Sequence, residues 1–259
     1  KFHNLISMRK GMFFNKVGVA ERAIVYTTTS TTATWKPQTT KATTLTWEVT
    51  GDATGTYVAT NPIIDLSGNT GTAIITATTL DWTDLSVITI TAANCPNLIT
   101  VDLSGTDGET LTTINISSHP TMTSFKLPSA TVSICSILNN DGLTTLDVTG
   151  LNPTTNFLPY NSNNIATITN INMPNVVQVQ MYACNLVNGV DLTSFSSATL
   201  MRIQNNNMTT TATDQSLADM VTSGMINCAI RMRNNRTSAS DADFATLQSR
   251  GCTFTFYTT

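Results

Sequence analysis

The stretch that decides the predicted fold is residues 176–186, which have the sequence VVQVQMYACNL. Its apolar residues follow the spacing L-x-x-L-x-L, with Val176, Val179 and Met181 at the three apolar positions. Cys184 stands three places further on, and Leu186 closes the pattern. Alternation of apolar and polar residues over so few positions predicts a short strand that buries one face.

The same spacing recurs from residue 85 towards the C-terminus. One set of instances starts at residues 85, 111, 132, 155, 176, 200 and 227, which are steps of about 21 to 27 residues. Leucine-rich repeats have periods of roughly 20–29 residues. A second set alternates with the first, so we predict two short strands in each repeat. Asn140, Asn163 and Asn235 stand where residues 176–186 have Cys184, and we expect their side chains to satisfy backbone groups where the chain leaves the sheet.

Residues 80–259 resemble a known family, the leucine-rich-repeat proteins of the Bacteroidetes type. Those proteins alternate LTSLDLS segments with TALTYLxCSNNQL segments. Residues 142–148, GLTTLDV, resemble the first segment, and residues 176–186 resemble the second. Residues 214–256 resemble the closing cap of the family, with Cys252 in place of the usual Trp. The family's cap occurs in surface proteins of these bacteria and in structural and tail proteins of their phages, so the resemblance implies one of these settings.

The predicted fold is mainly β. We expect a leucine-rich-repeat solenoid with two short strands per coil, a β-rich N-terminal cap and a helix-containing C-terminal cap. The predicted regions are a basic extension (1–26), the N-terminal cap (27–80), the solenoid (81–212) and the C-terminal repeat and cap (213–259).

Finer features of the two caps are also predicted. We interpret residues 27–34, rich in Thr and Ser, as a linker, and we expect Trp47 and Trp82 to close the core. In the C-terminal cap, Asp214 is predicted to cap one helix, and Ser240 with Asp243 is close to a capping box for a second. Gly224 and Gly251 are predicted to end these two helices.

Composition excludes several classes of function. The 259 residues are 11% charged and 41% hydrophobic, with a net charge of -3. About a fifth of the residues are Thr and about a tenth are Asn, a composition that favours strands and turns. The acidic balance argues against nucleic-acid binding, and no apolar run has the length of a membrane span. With two histidines, five cysteines and no C-x-x-C pair, we predict no cofactor, no metal and five reduced, buried cysteines.

Residues 1–26 carry five of the thirteen basic residues of the chain. We interpret them as an anchor that orders on another virion or surface protein. The anchor residues are predicted to be Arg9, Lys10, Lys16 and Arg22. An extra strand or helix folded on the N-terminal cap is the alternative.

The candidate binding residues lie on the last four coils, on the concave face of the predicted sheet. They are Phe157, Gln178, Gln180, Tyr182, Arg202, Gln204, Arg231 and Arg233. Phe157, Gln178 and Arg202 are predicted to share one row across the sheet, and Gln180 and Gln204 another. Aromatic faces, amides and guanidinium groups suit sugars or a negatively charged protein or glycan surface. The alternative is that the arginines solubilise a charge-poor solenoid.

These observations predict a non-enzymatic virion protein that displays the repeats for binding to a host-surface glycan or protein. The alternatives are a secreted or cell-surface bacterial adhesin and a glycan-degrading enzyme. His119 is interpreted as a turn residue and not as the base of a Ser-His pair. Asp102, Asp107 and Glu109 are interpreted as solvent-facing carboxylates, since the residue spacing of a calcium loop is absent.

Overall fold

The computed structural model describes residues 22–258, and within this range the chain is mainly β with two α-helices. In chain order the strands are β1 Ala23–Thr28, β2 Gln38–Thr40, β3 Leu45–Gly51, β4 Gly55–Ala59, β5 Ala73–Thr78, β6 Val87–Thr91, β7 Leu98–Asp102, β8 Thr110–Ser117, β9 Ser124–Lys126, β10 Thr131–Leu138, β11 Thr145–Asp147, β12 Asn152–Leu158, β13 Thr167–Thr169, β14 Gln178–Gln180, β15 Leu200–Arg202, β16 Ala229–Arg233 and β17 Thr253–Tyr257. The helices are α1 Thr210–Thr222 and α2 Asp241–Ser249. Neither helix of the described range has the length and apolar character that crossing a bilayer requires.

The largest sheet has nine strands in the order β17-β16-β15-β14-β12-β10-β8-β6-β2. From β6 to β17 every neighbouring pair is parallel, and only β2, at the edge, is antiparallel. We call each segment from one of these parallel strands to the next a coil. Phe157 pairs with Val179, and Val179 pairs with Met201, so equivalent core positions here are 22 residues apart (179 − 157 and 201 − 179). All three side chains are buried, and stacking such coils therefore produces one continuous core.

A second sheet has the order β4-β3-β5-β1-β7-β9, and β11 pairs with β13 in parallel. Strands β1, β3, β4 and β5 pair antiparallel, and we call residues 23–78 the N-terminal unit. Two strand pairings link it to the coils: β2 pairs antiparallel with β6, and β1 pairs antiparallel with β7, which in turn pairs parallel with β9. The backbone of the N-terminal unit is thus hydrogen-bonded directly to the first coils.

The core of the N-terminal unit is aromatic. Tyr26 lies with its ring centroid 5.6 Å from that of Trp35 and 6.2 Å from that of Trp47, and all three are fully buried. Trp47 also donates a hydrogen bond from Nε1 to the carbonyl of Ala59 at 2.8 Å. Trp82 is 3% exposed, so the predicted burial of Trp47 and Trp82 is confirmed.

The interpretation of residues 27–34 as a linker is wrong. Residues 27 and 28 belong to β1, and Thr28 and Ser30 are buried. The Thr28 hydroxyl donates to the carbonyls of Pro96 and Asn97, at 3.0 and 2.9 Å, and accepts from the amide of Ser30. Thr is β-branched and suits a strand, so a run of Thr and Ser here forms ordered structure.

The interpretation of Arg22 as an anchor residue is also wrong. Strand β1 begins at Ala23, so the predicted boundary after residue 26 falls inside a strand. The guanidinium of Arg22 donates from Nε to the carbonyl of Gly105 at 2.8 Å and pairs with Glu109 at 2.8 Å. It is therefore bound to its own chain. The other predicted anchor residues, Arg9, Lys10 and Lys16, lie outside the described residues.

A row of buried polar side chains runs along the edge where the chain leaves the nine-stranded sheet. The residues in this row, here called the polar ladder, are His119, Asn140, Ser162, Cys184 and Asn206. The Asn140 side chain accepts from the amide of His119 and donates to the carbonyl of Ile116, both at 3.0 Å. Asn206 bridges coils in the same way, since it accepts from the amide of Cys184 at 3.0 Å. Asn163, predicted at this position, is exposed, and Ser162 occupies the place instead.

Directly before each ladder residue the backbone adopts a left-handed conformation. These residues are Ser118, Asn139, Asn161, Ala183 and Asn205, with φ between 51° and 66°. Asn tolerates this conformation better than most residues, because its short side chain can hydrogen-bond locally. Five asparagines thus occupy these two neighbouring positions: Asn139, Asn161 and Asn205 as left-handed residues, and Asn140 and Asn206 as buried hydrogen-bonding residues.

At the other edge of the coils, aspartates close tight turns. The Asp147 carboxylate accepts hydrogen bonds from the amide and hydroxyl of Thr149, at 3.0 and 2.7 Å, and from the side chain of Asn170 at 2.9 Å. Equivalent Asp-x-Ser/Thr turns occur at Asp81, Asp102 and Asp191. The bonds from Asn170 and Thr149 hold the pKa of Asp147 below its usual value.

The C-terminal helices form, and their starts match the prediction only in part. Helix α1 is capped by Thr209, whose hydroxyl accepts from the amide of Ala212 at 3.2 Å. Asp214 lies inside this helix and accepts hydrogen bonds from Ser240 and Thr237, so it is not the cap. Ser240 does stand directly before α2, but its side chain makes no capping hydrogen bond, so the predicted capping box is absent. The predicted helix ends are confirmed, because Gly224 and Gly251 have left-handed φ of 79° and 82°.

Candidate functional site

The register of strands β12 to β17 places outward-facing side chains in three rows. The first row is Asn156, Gln178, Leu200, Ala229 and Thr253. The second row is Leu158, Gln180, Arg202, Arg231 and Thr255. The third row is Tyr160, Tyr182, Gln204, Arg233 and Tyr257. Its first three residues lie just beyond the ends of β12, β14 and β15, and the other two are the last residues of β16 and β17.

Phe157, predicted on this face, is a core residue. Its side chain is fully buried and lies in register with Val179, which is also buried. The outward neighbour is Asn156, which pairs with Gln178. A one-residue error in register exchanges the two faces of a strand, and that error produced the prediction.

Arg202 and Gln204 also stand in rows other than those predicted. Arg202 pairs with Gln180, and the partner of Gln178 is Leu200. The reason is Ala198, which is buried 22 residues after Val176 and takes the first core position of its coil (198 − 176 = 22). Because Ala198 is small, the sequence pattern does not identify it as the first core residue of the coil. Starting the coil at Leu200 instead shifts its predicted residues by two positions. Gln204 is 7% exposed and contributes little surface.

Two tyrosines stack at the edge of the face. The ring centroids of Tyr160 and Tyr182 are 4.7 Å apart, with 12° between the ring planes. The guanidinium of Arg202 lies 6.0 Å from the Tyr182 centroid, and its Nη1 donates to Gln180 Oε1 at 3.2 Å. Burial raises the pKa of Tyr182, and Tyr160 acts in the same direction while Arg202 opposes it. The phenol is therefore neutral near neutral pH and can both donate and accept a hydrogen bond.

Sequence reasoning missed Tyr160 as a site residue. The available indication was the 22-residue distance to Tyr182 (182 − 160 = 22), which equals the spacing of the core residues in the same coils. We call Tyr160, Gln180, Tyr182, Arg202, Arg231 and Arg233 the tyrosine–arginine patch.

Several polar atoms at this face have no hydrogen-bond partner among the described residues. They are Arg202 Nε, Gln204 Oε1 and Asn156 Oδ1, and each of these atoms is buried. A ligand could reach these atoms only if neighbouring side chains moved, because almost none of their surface is exposed. The groups that the face offers directly are the partly exposed side chains of Gln180, Tyr182 and Arg202.

The patch differs in charge from the whole chain. Its three rows contain three arginines and no acidic residue, although the chain has a net charge of -3. The same face at β6 to β10 carries small uncharged residues such as Thr89, Asn115 and Ser136. Positive charge on the outward face is therefore concentrated at one end, where it attracts anionic groups.

The remaining candidates have structural roles. His119 is 1% exposed, its Nε2 lies 3.2 Å from the carbonyl of Ile90, and burial lowers its pKa. Asp107 binds the amide of Ser129 at 2.8 Å, Asp102 binds Ser104, and Glu109 pairs with Arg22. Within residues 22–258, no group of three His, Cys, Asp or Glu residues could hold a metal ion.

The five cysteines are free and buried. Burial raises the pKa of Cys135 to about 12 and that of Cys184 to about 11, while a hydrogen bond from the Ser162 backbone acts in the opposite direction at Cys184. Thiolates are the reactive form of cysteine, so both side chains stay protonated and have structural roles. Cys135 packs in the core, and the Cys184 thiol donates to the carbonyl of Pro159 at 2.9 Å.

Comparison of the chain with protein-family models, curated proteins and solved structures gives no match. Function must therefore be argued from the chemistry of the patch and from the resemblance noted in the sequence.

Proposed function

We propose that the chain is a leucine-rich-repeat solenoid that serves as a non-enzymatic structural and adhesion protein of a phage virion and binds a host-surface glycan. The repeat assignment is supported by parallel strands 22 residues apart and by the polar ladder that joins successive coils. The virion setting is supported by the resemblance of the C-terminal cap.

The observation that carries the binding proposal is the tyrosine–arginine patch. Sugar rings present apolar C–H faces that stack on aromatic rings, and Tyr160 with Tyr182 offers such a surface. Arg202, Arg231 and Arg233 can bind carboxylate or sulfate groups on the same ligand. An acidic surface glycan therefore suits the patch better than a neutral one.

A binding role fits the side chains of the patch better than a catalytic role. Phenols, amides and guanidinium groups orient and hold a ligand. Glycoside hydrolysis needs two carboxyl groups at the bond that breaks, and the three rows of this face contain none. We infer that residues 1–21 attach the chain to the virion by binding other virion or surface proteins.

The proposal is tested by binding of the labelled full chain to an array of acidic and neutral glycans and to cells of Bacteroidetes strains. We expect saturable binding to acidic glycans that weakens as the salt concentration rises. The variant Arg202→Glu should reduce this binding at least about tenfold, because it reverses the charge beside the tyrosine stack.

The matched control is Lys126→Glu, which makes the same charge change on a different sheet, where Lys126 is 63% exposed. It should bind like the unmodified chain. Equal loss in both variants would indicate a nonspecific charge effect, and undiminished binding by Arg202→Glu would exclude the patch. Mass spectrometry of purified virions tests the setting separately, and absence of the chain from particles would favour a bacterial adhesin.

A further inference from the structure

A buried lysine meets an aspartate where the N-terminal unit joins the nine-stranded sheet. Lys41 follows β2, and Asp84 lies three residues before β6, the strand that pairs with β2. The Lys41 side chain is 0% exposed, and its Nζ contacts Oδ1 of Asp84. The other carboxylate oxygen of Asp84 accepts from the amide of Thr43 at 2.9 Å, which fixes the orientation of the carboxyl group.

Within residues 22–258, the two contacting atoms of this pair lack other polar partners, while the Asp84 side chain as a whole is 25% exposed. Both Nζ and Oδ1 are buried and have no further hydrogen-bond partner among the described residues. An ammonium group has three donors, so a desolvated one with a single contact is poorly stabilised. Lys126 and Asp102 provide the comparison, because their atoms are 3.4 Å apart and their side chains are 63% and 40% exposed. Water can solvate that second pair as ordinary ions.

Desolvation favours the neutral forms of a buried acid and a buried amine. Burial lowers the pKa of Lys41, while the carboxylates of Asp81 and Glu109 act in the opposite direction. Proton transfer from the ammonium to the Asp84 carboxylate produces a neutral amine against a carboxylic acid. These are the two forms that condense to an amide.

We propose that Lys41 and Asp84 form a covalent amide cross-link between their side chains. The Nζ lone pair attacks Cγ of Asp84, the C–N bond forms, and the C–OH bond of the acid breaks. One amine hydrogen leaves with that hydroxyl group as water, so the reaction needs no oxidant and no cofactor.

The cross-link would close a loop that contains β3, β4 and β5, and it would join this loop to the first strand of the parallel sheet. Closing a loop restricts the unfolded chain, so the link raises the stability of the N-terminal unit. It does not depend on the proposed binding function.

Intact-mass spectrometry of the full chain, purified under native conditions, tests the proposal. We expect a mass lower than the sequence mass by one water molecule. Trypsin digestion of the denatured chain locates the link, because an acylated Lys41 carries no charge and resists cleavage. Residues 23–41 and 42–126 should then remain joined, while cleavage after Lys126 proceeds.

Variants separate the link from other losses of water. Lys41→Arg keeps the positive charge but should have its full sequence mass, whereas Lys126→Arg should still lack one water. A full sequence mass with complete cleavage after Lys41 would overturn the proposal. Loss of one water with cleavage after Lys41 still complete would also overturn it, because the water would then come from elsewhere, for example from dehydration at Asp107-Gly108. The mass and the peptides of the unmodified chain decide the matter even if Lys41→Arg does not fold.

Discussion

The N-terminal unit and the C-terminal coils reach a packed core by different means. In the N-terminal unit, antiparallel strands surround a cluster of large, fully buried rings, Tyr26, Trp35 and Trp47. In the coils, medium-sized residues such as Val179 and Met201 recur every 22 residues. We therefore expect stability to be concentrated in the first region and divided among many similar contacts in the second.

The difference extends to polar groups and to the surface on which the candidate site lies. The coils hydrogen-bond their buried backbone through the polar ladder, with one side chain per coil, and so leave the outward face of the sheet free to vary. The tyrosine–arginine patch occupies that face in the last coils. Because each coil contacts mainly its neighbours, a ligand site can be built in a few coils without altering the rest.

The largest expected effect comes from removing part of the aromatic cluster. Trp47→Ala should lower the free energy of unfolding by about 3–5 kcal/mol, since a fully buried indole and its hydrogen bond to Ala59 are lost. Urea unfolding followed by circular dichroism measures the change. The control is Leu80→Ala, whose side chain is fully exposed and whose effect should stay within about 0.5 kcal/mol. Similar values for both variants would contradict the view that stability is concentrated here.

A smaller effect is expected from one position of the polar ladder. Asn140→Ala leaves the buried amide of His119 and the buried carbonyl of Ile116 without partners, and should cost about 2–3 kcal/mol. Asn163→Ala is the matched variant, because Asn163 is an exposed asparagine that binds Asp141 across the same coils. We expect a cost below about 1 kcal/mol there. Reversal of this order would place the ladder at Asn163, as the sequence pattern first predicted.

Much of the coil core could be predicted because successive repeats place apolar residues at the same positions. Single irregularities are harder to predict. Ser162 replaces Asn in the polar ladder, and Ala198 replaces a larger residue in the core. Both positions are filled by an atypical side chain, so a repeat counted from the next residue that fits the pattern is placed too late. Counting from Asn163 instead of Ser162 shifted one coil by one residue and placed Phe157 on the predicted binding face.

The residue types of the candidate site and its location on the last coils could be predicted from the sequence. Which of its residues lie next to each other across the strands could not. Stacking of Tyr160 on Tyr182 depends on register, and a periodic pattern with variable steps leaves register open by one or two residues. Arg22 illustrates a second limit. Its partner Glu109 is distant in sequence, and the pairing of β1 with β7 is a contact that the repeat pattern does not predict.

Where the two regions meet, the polar ladder contains a group that responds to pH. Burial lowers the pKa of His119, and its Nδ1 has no partner within residues 22–258. In the unfolded chain this histidine binds a proton at higher pH than in the folded chain, so stability is lost as pH falls below about 6.5. Urea midpoints measured from about pH 7 to about pH 5 should therefore fall. His119→Asn should flatten this dependence, and an unchanged slope would show that another group causes it.

The smallest expected effect lies at the opposite edge of the coils, in the turn at Asp147. Hydrogen bonds from Asn170 and Thr149 lower the pKa of Asp147 in the folded chain, so the unfolded chain takes up a proton first as pH falls. The stabilisation is present above about pH 4, the usual range for Asp, and is lost below it. Asn170→Gly removes the first donor and still permits the left-handed φ of 60° at this position. We expect the carboxyl titration of Asp147, followed by NMR, to move towards its usual value in this variant, while the melting temperature at neutral pH changes little because the site is exposed. An unmoved titration would mean that the contacts within the turn alone set the pKa, and that the hydrogen bond between coils contributes nothing at this edge.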